Sequence, residues 1–314
     1  MNMKKHFLKW ARASRNALND HVLAPCDVMG TSKPSSDHAP VFIIGAPRSG
    51  STLLAQLVTQ CLEVGYFSNF HAQLYGSPAL AEKLRTLSSS SYQSDFTSKH
   101  GATKGWHAPS ENAAFWYRFF RRRPAFVPLS EMPEISGRAF QRSLTRFIQV
   151  ADSSLLIKNL YAVLRLEVIQ HYLPEAKFIV LHRNLRDNAV SILNSRLKLY
   201  GTYHHWWSVE PPEITDLKRQ EPVSQVLGQI DAIYTLIEAA KGRAQAHSTT
   251  FLDVQYEQLC AKPTETLSRI CDFIPGCNLR LTSIQNLPSQ FEPTQRDLSD
   301  RELCTELSRQ LDSR

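Results

Sequence analysis

The chain of 314 residues carries six cysteines, Cys26, Cys61, Cys260, Cys271, Cys277 and Cys304, and no two of them form a C-x-x-C pair. That scatter argues against a zinc ribbon and a disulfide scaffold, and for reduced thiols in the cytoplasm. No apolar run approaches the ~18 residues needed to cross a bilayer. Met1 to Asn19 lacks the apolar core and small-residue cleavage site of a signal peptide. With no internal repeat, helix-turn-helix, zinc finger or RNA-recognition signature, nucleic acid is not expected as a partner, and no metal site is expected. Acidic residues are in the minority: 36 Lys and Arg against 29 Asp and Glu give a net charge of +7, which suits an anionic ligand or substrate. A composition that is 42% hydrophobic and 21% charged is that of a globular protein.

What is present is concentrated in Val41-Phe42-Ile43-Ile44-Gly45-Ala46-Pro47-Arg48-Ser49-Gly50-Ser51-Thr52-Leu53-Leu54. Four apolar, β-branched-rich residues predict a buried parallel strand, and an apolar pattern of helical spacing follows the loop. Strand, tight loop and helix in that order build an anion site: Gly45 and Gly50 admit close backbone approach, and the helix's first N–H groups point at the ligand. Arg48 adds a charge, while Ser51 and Thr52 add hydroxyls. The spacing matches G-x-x-x-x-G-K-[ST] except that Ser51 stands at the lysine, the residue that reaches the β- and γ-phosphates of a triphosphate. The loop therefore suits a phosphate or sulfate ester held without metal–triphosphate machinery.

Residues 1–39 read as a basic extension and linker, and 40–314 as one domain. Lys4, Lys5, Lys9, Arg12 and Arg15 alternate with Phe7, Leu8, Trp10, Ala11 and Leu18. Two readings stay open: an amphipathic helix making weak, peripheral contact with a membrane surface, or a helix packed on the domain or frayed at its end. Further along, a helix is predicted to about Glu63, loops at Asn69–His71 and Tyr75–Pro78, a short helix over Ala79–Leu87 and a surface loop at Ser88–Ser91. Ser110 is predicted to cap a helix that carries Glu111 in its first turn and ends at Arg121-Arg122-Arg123. Later strands are predicted at Ser154–Ile157, Lys177–His182 and Thr250–Tyr256, alternating with helices, and residues 200–220 as a substrate-side insertion rich in aromatics. The alternation predicts an α/β fold, a parallel sheet with helices on both faces and ligands at the strands' carboxyl ends. Arg48, Lys158, Arg183 and Tyr256 all fall at or just past such ends.

Arg183 and Ser191, eight residues apart, form a second candidate anion site of guanidinium and hydroxyl. Together the two sites resemble the sulfotransferases that use 3′-phosphoadenosine-5′-phosphosulfate (PAPS). Pro47-Arg48-Ser49-Gly50-Ser51-Thr52-Leu53 resembles their 5′-phosphosulfate loop. Phe178 through Ser191 resembles their 3′-phosphate motif, R-[DN]-P-x-D-x-x-x-S, with Leu185 in place of its proline. Val254-Gln255-Tyr256-Glu257-Gln258-Leu259 resembles their Y-E-x-L segment, whose tyrosine lies near the adenine. The likeness covers about 40–275, and Arg48 is similar to the arginine of the Golgi and bacterial branch. No R-K-G segment is found near the C-terminus, so the rest of the 3′-phosphate site is unassigned.

The resemblance implies a three-layer, P-loop NTPase-like sulfotransferase fold and PAPS as co-substrate, with no metal. It implies that Arg48, Ser49, Gly50, Ser51 and Thr52 hold the 5′-phosphosulfate, Arg183 and Ser191 the 3′-phosphate, and that Tyr256 lies at the adenine. Lys158, at its strand end, is the candidate for the bridging oxygen. For the base, Glu111 stands first, His107 second and His71 third. The acceptor, a hydroxyl or amine on a saccharide, lipid, metabolite or peptide, and the oligomeric state stay open. So do two other functions: a nucleotide-dependent kinase, and a non-catalytic nucleotide- or glycan-binding protein.

Overall fold

The computed structural model describes residues 2–29, 37–87, 92–96, 103–244, 250–293 and 297–314; the Ser88–Ser91 loop and linker residues 31–36 lie outside them. Five strands form one sheet: β1 (Pro40–Gly45), β2 (Gly65–Tyr66), β3 (Leu155–Lys158), β4 (Lys177–His182) and β5 (Phe251–Gln255). They pair in parallel in the order β2-β3-β1-β4-β5, with β1 at the centre. Side chains alternate across β1. Val41 and Ile43 pack with Leu54, Leu57 and Val58 of the helix Ser51–Cys61 and with Leu267 and Ile270 of the helix Pro263–Phe273. Phe42 and Ile44 pack on the opposite face with Trp116, Phe140, Phe147, Ile233 and Ile237. A strand buried on both faces needs apolar residues at every position, which is why β1 reads as a continuous run. Register places Phe42, Phe178 and Phe251 side by side, and their rings stack at 5.5 and 4.9 Å. Burial stabilises by roughly 1.5–3 kcal/mol per ring.

β2 escapes the sequence pattern because two residues carry no periodicity; pairing of Gly65 and Tyr66 with Leu155 and Leu156 defines it. Asn69–Gln73 is a helix rather than the expected loop, and Ser68 caps it in a reciprocal box with His71. The helix expected from Ser110 shrinks to Ala113–Trp116, with Asn112 at its cap in a left-handed conformation, so Glu111 precedes it and gains nothing from a helix dipole. Phe115, Trp116, Phe119 and Phe120 all pack against the Phe140 ring. The three arginines do not close a helix either: Arg121 donates to the carbonyls of Pro124 and Phe126 and pairs with Glu131 at 2.6 Å.

The N-terminal helix Asn2–Leu18 continues through a wide turn, Asn19–Leu23, into Ala24–Asp27. Its far end is tied to the domain by buried polar groups. Asn19 donates to the Gln73 carbonyl and accepts from the Gly76 N–H, and buried Asp27 accepts from Ser77, Ser143 and both terminal nitrogens of Arg118. Among the described residues no helix is long and apolar enough to cross a membrane.

Candidate active site

The loop between β1 and the helix Ser51–Cys61 is built for close approach. A Cβ on Gly45 (φ 149°) would sit 2.5 Å from the Leu181 carbonyl oxygen, and one on Gly50 (φ 98°) would sit 2.2 Å from the Tyr256 ring. Arg48 itself takes a left-handed φ of 65°, a conformation that costs an L-residue with a Cβ roughly 1–2 kcal/mol. The segment after β4 holds it there. Arg183 Nη1 donates to the Arg48 carbonyl (2.8 Å), Arg48 Nε donates to Ser191 Oγ (3.1 Å), and Asn188 Nδ2 donates to the Pro47 carbonyl (2.6 Å). Tyr256, directly after β5, is wedged between Gly50 and the Arg183 guanidinium, which lies 4.7 Å from its ring centre. The first-turn N–H groups of the helix Ser51–Cys61 have no partners within their own helix and face the cavity mouth beside Ser51 and Thr52.

These residues line one cavity of about 1030 Å³ at the carboxyl ends of the strands. Arg48, Gly50, Ser51, Thr52, Arg183 and Tyr256 form one wall, and Lys158 and Glu111 face them. The Lys158 ammonium, with 7% of its side chain exposed, forms an ion pair with Glu111 Oε1. A nearly buried ammonium requires such a counter-charge. Ser49 does not reach the cavity wall: it is fully buried behind the loop, and its Oγ has no hydrogen-bond partner among the described residues. Ser191, expected to share an anion with Arg183, accepts from Arg48 and is not among the residues that line the cavity.

Neither histidine considered as a base lines the cavity. His107 is half-buried, and its carbonyl accepts from Tyr66. His71 is fully buried: Nδ1 lies 2.8 Å from Ser68 Oγ and Nε2 lies 3.1 Å from Glu82. Burial pushes the His71 ring toward its neutral form. Burial also opposes the Glu82 charge, but hydrogen bonds from Arg85 and His71 override it and hold the carboxyl down at about 2. His71 thus belongs to the scaffold.

The rest of the cavity comes from Tyr161 and the insertion after Tyr200. Trp206, Trp207, His204 and His205 line it, together with Arg123, Lys218 and Glu210, whose carboxylate lies 3.9 and 3.7 Å from the two cations. Burial, then the nearby charge of Glu210, pushes the Tyr161 hydroxyl up to about 12. The insertion is pinned from below. Gln229 Nε2 donates to the carbonyls of Trp207 (3.1 Å) and Val209 (2.8 Å), and Arg196 Nη1 to that of Tyr203 (3.3 Å). Arg196 is fully buried with its guanidinium 5.2 Å from the Trp206 ring, and burial alone pulls its pKa down to about 10. Asn188, Gln229 and Arg196 are absent from the sequence-based candidates. Asn188 had a readable signal, since it sits three residues before Ser191 on the same helix face; Gln229 and Arg196 had none.

A strand–loop–helix anion cradle, a second guanidinium beside it, and a lysine–carboxylate pair across the cavity meet at the carboxyl edge of one parallel sheet. Residues 40–277 match the model of the sulfotransferase family, and the chain belongs to that family. Two mycobacterial proteins named omega-hydroxy-beta-dihydromenaquinone-9 sulfotransferase Stf3, from Mycobacterium bovis and Mycobacterium tuberculosis, are 24% identical over 255 residues. The match takes in 74% of this chain and spans 61% of the length of those relatives. In fold the chain is similar to sulfotransferase STF9 from Mycobacterium avium (TM-score 0.55, 15% identity, 95% of this chain and 80% of that one). Sulfotransferase STF1 from M. tuberculosis H37Rv has the same fold (TM-score 0.51, 17% identity, 94% and 81%).

Proposed function

We propose that the chain transfers a sulfuryl group from PAPS to a hydroxyl or amine. The observation that carries this reading is the convergence of Arg48, Arg183 and Tyr256 with the Lys158–Glu111 pair on one cavity. The residues present fit the donor: two guanidinium groups and a helix N-terminus for its anionic groups, and a wedged tyrosine ring for a flat base. When bound, PAPS supplies a sulfuryl group joined to a phosphate leaving group. Arg48 and the first-turn amides of Ser51 and Thr52 hold the 5′ end, and Arg183 holds the 3′-phosphate. Lys158 neutralises charge that develops on the bridging oxygen as the S–O bond breaks. Glu111 accepts the proton of the acceptor as its oxygen or nitrogen bonds to sulfur, which is general-base chemistry. His107 and His71 are given no role.

The Stf3 relatives are named for a hydroxylated dihydromenaquinone. An alcohol on a largely apolar acceptor is the class that this name suggests, and the Trp206, Trp207 and Tyr161 wall supports it. Ser51 at the lysine position disfavours the kinase alternative. The test has two arms. Saturating adenosine 3′,5′-bisphosphate is expected to raise the melting temperature, a stabilisation of about 2.7 kcal/mol at a hundred times Kd. Labelled PAPS incubated with the protein and a host-cell extract is expected to label an acceptor. No stabilisation, or tighter binding of ATP with Mg²⁺, would overturn the reading; stabilisation without transfer to any acceptor would favour a non-catalytic binder.

A further inference from the structure

Among the described residues, the contacts that anchor the N-terminal helix Asn2–Leu18 lie at its C-terminal end. Arg15 Nη1 donates to Gln73 Oε1, Asn19 bridges Gln73 and Gly76, and Asp27 is locked into the domain. Ahead of that anchor every described side chain from His6 to Ser14 is exposed to solvent. What it exposes is not polar all round. Phe7 is 65% and Trp10 69% exposed, and Leu18 and Val22 are exposed as well. Residues 7, 10, 11, 14 and 18 share one helical stripe at i, i+3, i+4, i+7 and i+11, and carry Phe, Trp, Ala, Ser and Leu. Lys9 and Arg12 occupy the other side of the wheel. Between Met1 and Leu18 the sequence holds Lys4, Lys5, Lys9, Arg12 and Arg15 and no acidic residue.

A buried face would make the aromatic stripe a core contact, and an interface with a second copy would set this cationic helix against its own like charge. Both the stripe and the charge are matched by an anionic lipid surface, where Phe and Trp enter the headgroup boundary while lysine and arginine stay with the phosphates. We infer that residues 6–18 dock the protein on anionic membranes, with Phe7 and Trp10 as the inserted side chains. This inference stands independently of the sulfotransferase reading, because none of these residues lines the cavity.

The test is co-sedimentation of the full chain with vesicles of phosphatidylglycerol and phosphatidylcholine, against vesicles of phosphatidylcholine alone, followed by tryptophan fluorescence. Binding to the anionic vesicles is expected, at least about tenfold stronger than to neutral ones and weakened by salt, with a blue shift of emission. Phe7→Ala with Trp10→Ala should lower the affinity about tenfold or more and leave the melting temperature unchanged, since both rings are exposed. Trp10→Phe should keep the binding and remove most of the blue shift, which places the ring itself in the lipid boundary. Equal sedimentation of the wild type and the double variant would overturn the inference. So would salt-sensitive binding to duplex DNA with none to vesicles, or self-association that the double variant abolishes without any vesicle binding.

Discussion

On the side of the cavity proposed for the donor, Arg48, Arg183 and Tyr256 stand just past the ends of three neighbouring strands, held by backbone register within one sheet. On the side proposed for the acceptor, Glu111, Tyr161 and the Trp206–Trp207 segment come from loops and short turns; Gln229 reaches in from a helix to hold the tryptophan segment, and Lys158 pairs with Glu111. Sheet register places a residue through many backbone bonds at once, so one side-chain change moves it little. A loop pinned by two or three side-chain bonds loses its place when one of them is removed. The first wall is suited to gripping the invariant part of a reaction, and the second to fitting a particular acceptor.

Substitutions across the cavity test that division. The largest effect is expected from Glu111→Gln: turnover should fall about 10²–10⁴-fold while adenosine 3′,5′-bisphosphate binds as before. A loss under tenfold in transfer of label from PAPS would make Glu111 a counter-ion of Lys158 rather than the base. Gly50→Ala should come next. The added methyl meets the Tyr256 ring and a left-handed backbone, so nucleotide affinity measured by calorimetry should fall about 100-fold, as expected for a misplaced binding group. Arg48→Ala removes a charge-assisted contact and should cost about 10–100-fold in the same affinity.

On the other wall, Gln229→Leu frees the Trp207 and Val209 carbonyls. The KM for a labelled acceptor should rise about fivefold with nucleotide affinity unchanged. An equal loss of nucleotide binding would break the separation of the two walls.

The smallest effect concerns the scaffold. Burial depresses the His71 pKa, so its contribution is complete above about 6.5 and is lost as pH falls through the lower folded value. Glu82, held at about 2, adds a second loss as pH drops below 4.5 toward 2. Melting temperatures measured from pH 8 downward should show the first decline, and His71→Gln should remove it without affecting turnover.

The donor wall was largely legible because its residues advertise themselves locally. Gly45, Arg48, Gly50 and Thr52 lie within eight residues of each other, and Arg183 follows an unmistakable apolar strand. The roles inside that wall were less legible. That Ser191 accepts from Arg48 was not foreseen; it follows from the helix Leu185–Tyr200 setting Asn188 and Ser191 against the loop. Glu111 was expected in the first turn of a helix, but the helix begins at Ala113, after Asn112 in a left-handed conformation. His71 lay near enough to the loop in sequence to be considered, yet it closes a cap and faces Glu82 inside the fold.

The sequence by itself determined the alternation of strand and helix, the phosphate-binding loop with serine in place of lysine, and the cationic, aromatic N-terminal helix. Each is written in neighbours a few residues apart, through backbone dihedral preference, apolar period or charge. Only the tertiary structure decided which carboxylate faces Lys158, which serine of the loop lines the cavity, and which buried amide and guanidinium pin the wall proposed for the acceptor. Those choices join groups 20 to 140 residues apart, such as Gln229 with Val209, Lys158 with Glu111 and Arg48 with Ser191. No local pattern encodes them, because the bond between such groups exists only once the sheet has brought its strand ends together.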